Sequence, residues 1–412
     1  MPKIKYFGLG LAIFTVLISH QVKAQTLFNQ TNNSIPPSAN PNLTAPTDDQ
    51  GSLLLTAIKT ARATLQDRLN KAVKTTSSKI YVTSYSSPVN LTLALWQPQN
   101  NNLLYLEAIQ TGKKIKLLTP TTYQIELTYD NGVNSQFKIT GQPEAQLVGL
   151  IHPIYTSVGN KRYPKYLIHD VVYVPYHSYL NQPAVVAAGE AYFNDKITQV
   201  YQEISNLGIK SLAYPKEPLT KIIDPNVIKS VIAIEHVSAT KLLGGDPNDY
   251  LAQFYVTLAT NQSASYAYAK SDASARGLVQ FIPATYKSLR KLRPELTLPV
   301  DFIQGMTDPY NAIKAQIGLM DYNLSRLPAT VRVKYELNKK TTGALLAAVY
   351  NGGPTRLNKA LRAWGDSWDI YHPRTGNSLK LETVNYLAKY DIIYDTFTRR
   401  PANQNWQLAF NP

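Results

Sequence analysis

The stretch "DPNVIKSVIAIEHV", residues 224 to 237, contains a clear helix signal and one conspicuous carboxylate. Asp224 suits the N-cap position, and Pro225 suits the first helical position, where no hydrogen-bonded N–H is needed. The apolar residues that follow recur at helical spacing, so Glu235 borders the apolar face near the end of the helix. A carboxyl group there loses hydration, which raises its pKa and suits a general acid. The plainer alternative is a helical glutamate that reaches solvent.

Helical signals continue downstream of this stretch. The segment "DPYNAIKAQIGLMDYNL" again opens with Asp and Pro, at 308 and 309. The segment "TTGALLAAVYNGGP" ends at Gly352 and Gly353, which favour helix termination. We therefore predict a mostly α-helical domain at 213–400, followed by a C-terminal tail at 401–412.

Upstream, short alternating runs such as "NLTLALW" and "TYQIELTY" are separated by turn signals and are typical of strands. They predict a β-rich domain of unknown role at 79–182, joined to the helical domain by a connecting helix at 183–212. Residues 52–78 place apolar side chains at helical spacing, which predicts an amphipathic helix. The predicted fold class is α+β, with several domains.

The N-terminus has the pattern of an export signal. Lys3 and Lys5 precede an apolar run that is too short to span a bilayer, and small residues follow before Gln25. We predict a signal peptide at 1–24, cleaved to release a protein without a transmembrane anchor. Residues 25–51 are rich in Asn, Pro, Thr and Ser, and we expect a flexible linker there.

The 412 residues carry a formal net charge of +15 and contain no cysteine. The absence of cysteine excludes disulfides, thiolate metal sites and a cysteine nucleophile. The positive charge favours an anionic partner such as lipid head groups or a cell-wall polymer, and export argues against nucleic acid. A basic cluster is expected to form a solvated helix face. It consists of Lys287, Arg290, Lys291 and Arg293.

The histidines show no HExxH spacing, and no Gly-rich phosphate loop follows a strand, so we predict no metal and no cofactor. Four segments that follow Glu235 are more informative. They are "KSDASARGLVQFIPATY" (270–286), "DPYNAIKAQIGLMDY" (308–322), "AAVYNGGPTRL" (347–357) and "ETVNYLAKY" (382–390). With Glu235, their order resembles the soluble lytic transglycosylases, lysozyme-like enzymes that cut the glycan strands of peptidoglycan.

The resemblance implies a lysozyme-like fold for the C-terminal domain and a role for each matching residue. Glu235 would protonate the glycosidic oxygen and then deprotonate the C6 hydroxyl of the sugar, which leaves a 1,6-anhydromuramoyl end. Tyr386 would lie against this carboxyl group. Cleavage would fall between N-acetylmuramic acid and N-acetylglucosamine. Five further implied residues would bind the substrate together with Tyr386. They are Ser271, Gly277, Gln280, Tyr350 and Asn351.

Two departures from the family pattern bear on function. His236 stands where the family has serine, and it either remakes the hydrogen bond of that serine or lies on the outer face, which we favour slightly. The chain between Glu235 and Ser271 is longer than in the family, so residues 238–269 are interpreted as an insertion. Its tyrosines are suited to stacking on sugars or anchoring a partner, or they add a packing layer.

Three functions remain open from the sequence. The leading one is a lytic transglycosylase that opens the wall locally, in one version for assembly of an envelope-spanning machine. The second is a lysozyme-type hydrolase, which would need a second carboxylate from Asp246, Asp249 or Asp272. The third is a non-catalytic peptidoglycan-binding scaffold.

The expected partners are peptidoglycan strands and an envelope protein bound through the β-rich domain or through 238–269. The signal and the expected substrate place the protein in the periplasm, with a secreted or surface-exposed form as the alternative.

Overall fold

The computed structural model describes residues 48–75, 80–82, 88–157, 162–163, 165–237, 245–336, 338–373 and 375–399. The predicted signal peptide and the predicted C-terminal tail lie outside these residues, as does most of the predicted linker. The described residues fall into two compact units. Unit 1 comprises those of 194–251 and from 266 onward, and unit 2 comprises those of 40–193 and 252–265.

Unit 2 is built on an antiparallel sheet of six strands in the order β1-β8-β7-β2-β3-β4, with β5 and β6 paired separately. Helix α1 (Asp48–Thr75) precedes the sheet. The strands are β1 (Ile80–Val82), β2 (Val89–Gln97), β3 (Asn102–Thr111), β4 (Lys114–Leu117), β5 (Gln124–Tyr129), β6 (Gln136–Thr140), β7 (Gln146–Ser157) and β8 (Tyr166–Tyr173).

The central strand β2 is covered on both faces, which explains its nearly continuous run of buried residues. On one face, Ala94 and Trp96 belong to a core formed with the apolar stripe of α1, including Leu54 and Leu65. On the other face, Leu93 packs in a second core, which also contains Tyr123, Ile125 and Leu127 from the β5 region. Alternation of side chains along one strand thus feeds two separate cores.

Unit 1 is helical. Helix α2 (Pro183–Asn206) enters it at residue 194. The helices that follow are α3 (Leu219–Ile222), α4 (Pro225–Glu235), α5 (Pro247–Asn261, only partly in unit 1), α6 (Pro283–Leu292), α7 (Phe302–Thr307), α8 (Pro309–Ser325), α9 (Ala329–Tyr335), α10 (Lys339–Gly352), α11 (Pro354–Trp364) and α12 (Leu381–Arg399).

The two predicted Asp-Pro helix starts are confirmed. The carboxylate of Asp224 accepts the main-chain N–H of Asn226 at 2.7 Å, and that of Asp308 accepts the N–H of Tyr310 at 3.2 Å. Each bond satisfies a donor that a helix N-terminus leaves unpaired. At the other end of α10, Gly353 adopts a positive φ of 82° and stops the helix, as predicted.

Helix α4 lies in the centre of unit 1. Every residue from 227 to 234 is buried, including polar Lys229 and Ser230, and the helix packs against α8, α10 and α12. It is therefore enclosed on all sides, whereas its sequence predicts one apolar face. Glu235 is its last residue, at the point where the enclosed helix ends.

The prediction of a solvated basic helix face is wrong for Arg293, one of its four residues. The side chain of Arg293 is fully buried, and its guanidinium donates to Asp321 at 2.5 Å and to the main-chain oxygen of Lys210 at 3.0 Å. It also contacts Glu295. Asp321 accepts two further bonds, from the Ser211 hydroxyl at 2.5 Å and the Leu212 N–H at 2.7 Å. The guanidinium of Arg293 can be buried because hydrogen-bond acceptors surround it. Asp321 and Lys210 are distant from Arg293 in the sequence, so the local sequence pattern does not reveal these contacts.

The prediction of an α+β fold with a β-rich region before a helical C-terminal region is confirmed. Among the described residues, no helix has the length and apolar character needed to cross a bilayer.

Candidate active site

The candidate site centres on Glu235, whose side chain is partly exposed at the C-terminal end of α4. Its Oε1 accepts a hydrogen bond of 2.6 Å from the hydroxyl of Tyr386 on α12. Tyr386 is only 5% exposed, and burial and the neighbouring Glu235 raise the pKa of its phenol well above the ordinary value. The phenol is therefore a neutral donor that fixes one oxygen of the carboxyl group.

A buried lysine lies beneath this pair. The ammonium of Lys389, one turn beyond Tyr386 on α12, donates to the main-chain oxygens of Ile234 at 2.9 Å and Val237 at 3.2 Å. These carbonyl groups lie at the C-terminal end of α4, where a helix has unpaired acceptors and a partial negative charge. Lys389 thus fixes the end of α4 and places a cation near the carboxylate.

The pKa of Glu235 is raised above its ordinary value. The largest cause is loss of hydration, which disfavours the charged form. The Tyr386 hydrogen bond and the Lys389 charge oppose this effect, and the charge of Glu382 adds to it. The balance gives a carboxyl group that holds its proton at a higher pH than an exposed glutamate, which a general acid requires.

Glu382, in the first turn of α12, is a site residue that the sequence prediction did not include. Burial raises the pKa of its carboxyl group as well. Glu382, Tyr386 and Lys389 follow each other at spacings of four and three residues, so they share one face of α12. This spacing was readable from the sequence, but nothing in the sequence shows that the face meets Glu235.

The predicted glycan-binding residues Gly277 and Gln280 belong to one tight turn. Gly277 has a φ of +71°, and a Cβ there would lie 1.8 Å from the main-chain oxygen of Met306, so glycine is required. Gln280 also has a positive φ, +51°, which is unusual for a residue with a side chain. Its amide donates to the Gly277 oxygen at 2.8 Å. The turn is held in an unfavourable backbone conformation by its surroundings.

Two side chains hold successive carbonyl groups of this turn. The hydroxyl of Tyr350, near the end of α10, donates to the Val279 oxygen. The Nε2 of His236 lies 2.7 Å from the Leu278 oxygen. The outward placement of His236 that the sequence favours slightly is therefore wrong, because the imidazole points into the protein and remakes a hydrogen bond. Burial lowers its pKa to about 4, so the ring is neutral near pH 7.

The two remaining predicted residues make supporting contacts. The hydroxyl of Ser271 accepts the Ala275 N–H at 3.1 Å and closes the loop before the turn. The side-chain oxygen of Asn351 accepts the Thr383 hydroxyl at 2.8 Å and joins α10 to α12. The structure thus pairs Glu235 with Tyr386, places Tyr350 on the Gly277–Gln280 turn, and uses Asn351 to fix the helix that carries Tyr386. Within the described parts of the chain, no cluster of three or more His, Cys, Asp or Glu side chains is suited to a metal ion.

Residues 248–370 match the family model described as "Transglycosylase SLT domain". The match confirms, for this part of the chain, the resemblance that the motifs predict. It begins inside the segment 238–269 that the sequence interprets as an insertion, and it ends before α12. Glu235 and Tyr386 therefore lie on either side of the matched range, and the fold brings them together. No curated protein and no solved structure matches the chain.

Proposed function

We propose that this protein is a peptidoglycan lytic transglycosylase that cleaves between N-acetylmuramic acid and N-acetylglucosamine and leaves 1,6-anhydromuramoyl ends. The observation that carries the proposal is the carboxyl group of Glu235, which has a raised pKa and is held by Tyr386 beside a domain that matches the transglycosylase family model. To protonate a glycosidic oxygen, a site needs at least a carboxyl group that is desolvated and held in a fixed orientation.

The reaction needs only one carboxyl group. Protonated Glu235 donates its proton to the bridging oxygen as the bond to the anomeric carbon breaks. The acetamido oxygen of the N-acetyl sugar stabilises the positive charge that develops at this carbon. The Glu235 carboxylate then takes the proton of the C6 hydroxyl, whose oxygen bonds to the anomeric carbon. The acid is regenerated and no water is consumed.

The surrounding residues have matching roles in this proposal. The Gly277–Gln280 turn would offer the glycan the side-chain amide of Gln280, and the missing Cβ of Gly277 lets this turn pack against the main-chain oxygen of Met306. Tyr350 fixes this turn, and Asn351 fixes α12. Ser271 lies in the preceding loop, where the resemblance implies a contact with the acetamido group.

A lysozyme-type hydrolase is the second candidate, and one observation defines it. The three aspartates suggested from the sequence are exposed, and Asp246 caps α5 by accepting the Asn248 N–H at 2.8 Å. The carboxylate whose charge acts on Glu235 is instead Glu382. A hydrolase would therefore use Glu382 to activate water, and its products would have reducing ends.

The proposed activity places the protein in the periplasm or on an exposed wall, in agreement with the predicted signal peptide. An envelope protein bound through the β-rich domain at 79–182 or through 238–269 is part of the same proposal.

The test is digestion of purified sacculi by the chain from Gln25, with mass spectrometry of the released muropeptides. Wild type should release products with anhydro ends. Glu235→Gln should lower the rate on the order of a thousandfold, because the acid is lost while the Tyr386 hydroxyl can still donate to the new amide. Glu217→Gln is the matched control, since it removes an exposed carboxylate that pairs with Lys221, and it should behave as wild type.

Reducing ends that disappear in Glu382→Gln would favour the hydrolase instead. Binding to sacculi without any release of fragments would contradict both enzymatic functions and favour a scaffold.

A further inference from the structure

The imidazole of His236 takes part in a closed set of contacts around the Gly277–Gln280 turn. Its Nε2 meets the Leu278 oxygen at 2.7 Å, and its ring stacks on that of Tyr266, with centroids 3.8 Å apart and planes 24° from parallel. The Tyr266 oxygen accepts the Ala269 N–H at 2.9 Å, and the Ala269 oxygen accepts the Gly277 N–H at 3.2 Å. The contacts therefore form a closed ring that begins and ends at the Gly277–Gln280 turn.

The chemistry of these contacts fixes the proton on the ring. A main-chain oxygen only accepts hydrogen bonds, and the ring is neutral near pH 7, so the proton of the imidazole must be on Nε2. A serine hydroxyl on the same Cα would end well short of the position of Nε2 and would offer no ring to Tyr266. Histidine therefore makes two contacts at a position where the family has serine.

Tyr266 lies three residues before the end of 238–269, the segment that the sequence interprets as an insertion. Its φ is +57°, a conformation that costs free energy for a residue with a bulky side chain. The stacking contact with His236 and the bond to Ala269 help to hold it there. The conformation of the turn and the conformation of the end of this segment thus depend on the same imidazole.

We propose that His236 is a positioning residue that holds the Gly277–Gln280 turn in its glycan-binding conformation and makes this conformation depend on Tyr266. The inference rests on the proposed function, since it assigns the turn to substrate binding. It gives the end of 238–269 a role in recognition of the glycan by this site, through the contacts of Tyr266 and Ala269.

Two substitutions separate the two contacts of His236. His236→Phe keeps the aromatic stack and removes the N–H donor, whereas His236→Gln removes the ring and keeps a donor at similar reach. We expect His236→Phe to raise KM for glycan strands about tenfold with a smaller change in kcat, because a hydrogen bond that shapes the binding turn is lost. His236→Gln should recover much of this loss, and Tyr266→Leu should raise KM about threefold.

His372→Phe is the matched control. His372 also stacks on an aromatic ring, that of Trp364 at 3.7 Å, but it makes none of the contacts around Glu235 or the turn. It should leave KM unchanged. A second measurement does not depend on turnover: ¹⁵N spectra of histidine-labelled protein should show His236 as the neutral Nε2–H tautomer at pH 7.

Equal KM values for wild type, His236→Phe and Tyr266→Leu would overturn the inference while leaving the proposed function intact. An Nδ1–H tautomer would overturn it as well. A wild-type protein that neither cleaves nor binds glycan strands would overturn the proposed function and, with it, this inference.

Discussion

Two carboxyl groups in unit 1, those of Asp321 and Glu235, differ in the hydrogen bonds and charges that compensate their loss of hydration. Asp321 is fully buried and accepts three hydrogen bonds, from the Arg293 guanidinium, the Ser211 hydroxyl and the Leu212 N–H. Among the described residues, Glu235 accepts one side-chain bond, from Tyr386, and the nearby cation of Lys389 is bound to main-chain oxygens.

The difference separates a carboxylate with structural contacts from the one that we propose as the acid. Hydrogen bonds and an ion pair compensate the buried charge of Asp321. These contacts link distant parts of the chain, namely residues 210–212, α8 and Arg293. At Glu235, the Tyr386 hydrogen bond and the Lys389 charge do not fully compensate the loss of hydration of the ionised form. The pKa of its carboxyl group is therefore raised. The same carboxyl chemistry therefore links parts of the fold at one site and gives a raised pKa at the other.

The largest expected effect comes from replacing Asp321. Asp321→Asn places an amide N–H₂ group against donors and leaves the Arg293 guanidinium buried without its carboxylate. We expect the free energy of unfolding to fall by about 3–5 kcal/mol, measured by urea denaturation. Asp369→Asn, at an exposed position, should change it by less than about 0.5 kcal/mol. A loss as small as that of the control would show that the buried pair is not structural.

Removal of the Tyr386 hydroxyl, which donates to Glu235, should be milder and should act on activity. Tyr386→Phe loosens the orientation of the carboxyl group, so we expect kcat to fall about tenfold. It also removes a bond that favours the ionised form, which raises the pKa of Glu235 further. The alkaline limb of the kcat/KM profile should move to higher pH, and Tyr371→Phe should leave it in place. Movement to lower pH would contradict our account of the site.

Glu382→Gln should shift the same limb in the opposite direction. The negative charge of Glu382 raises the pKa of Glu235, so its removal lets Glu235 lose its proton at lower pH. For a transglycosylase the plateau rate should change by about twofold or less, because Glu382 takes no proton in the reaction. A pH–rate profile distinguishes this result from the collapse of activity expected of a hydrolase.

The smallest effect concerns stability at the reactive site. Because the pKa of Glu235 is raised in the folded state, its contribution to stability is present below the ordinary carboxyl pKa and is lost as pH rises through the raised value. Glu235→Gln should therefore raise Tm by about 2 °C near pH 7.5, and this gain should shrink as the solution is acidified. A Tm that is lower than that of wild type near pH 7.5 would mean that Lys389 dominates the site.

Local signals made much of the helical architecture predictable. The Asp224 and Asp308 caps act between neighbours in the chain, and so does the stop at Gly353, so the sequence alone suffices to place these helix ends. The contact between Glu235 and Tyr386 spans 151 positions, and only the order of motifs pointed to it.

Two cationic residues escaped prediction for one physical reason. Arg293 and Lys389 carry charged side chains whose type favours the surface, and each is buried because distant main-chain oxygens or a carboxylate accept its hydrogen bonds. Such partners are set by tertiary packing. A pattern of hydrophobicity along one segment carries no information about them.

The face of α12 that carries Glu382, Tyr386 and Lys389 has a consequence for how this protein can change. Beside the larger effect of lost hydration, these three side chains adjust the pKa of Glu235, while the Gly277–Gln280 turn is shaped from other elements, by Tyr350 and His236. In the proposed function, the acidity of Glu235 and the shape of the glycan-binding turn thus depend on different side chains. Substitutions on one helical face would then shift the pH dependence of the proposed activity while the side chains that shape the turn stay unchanged.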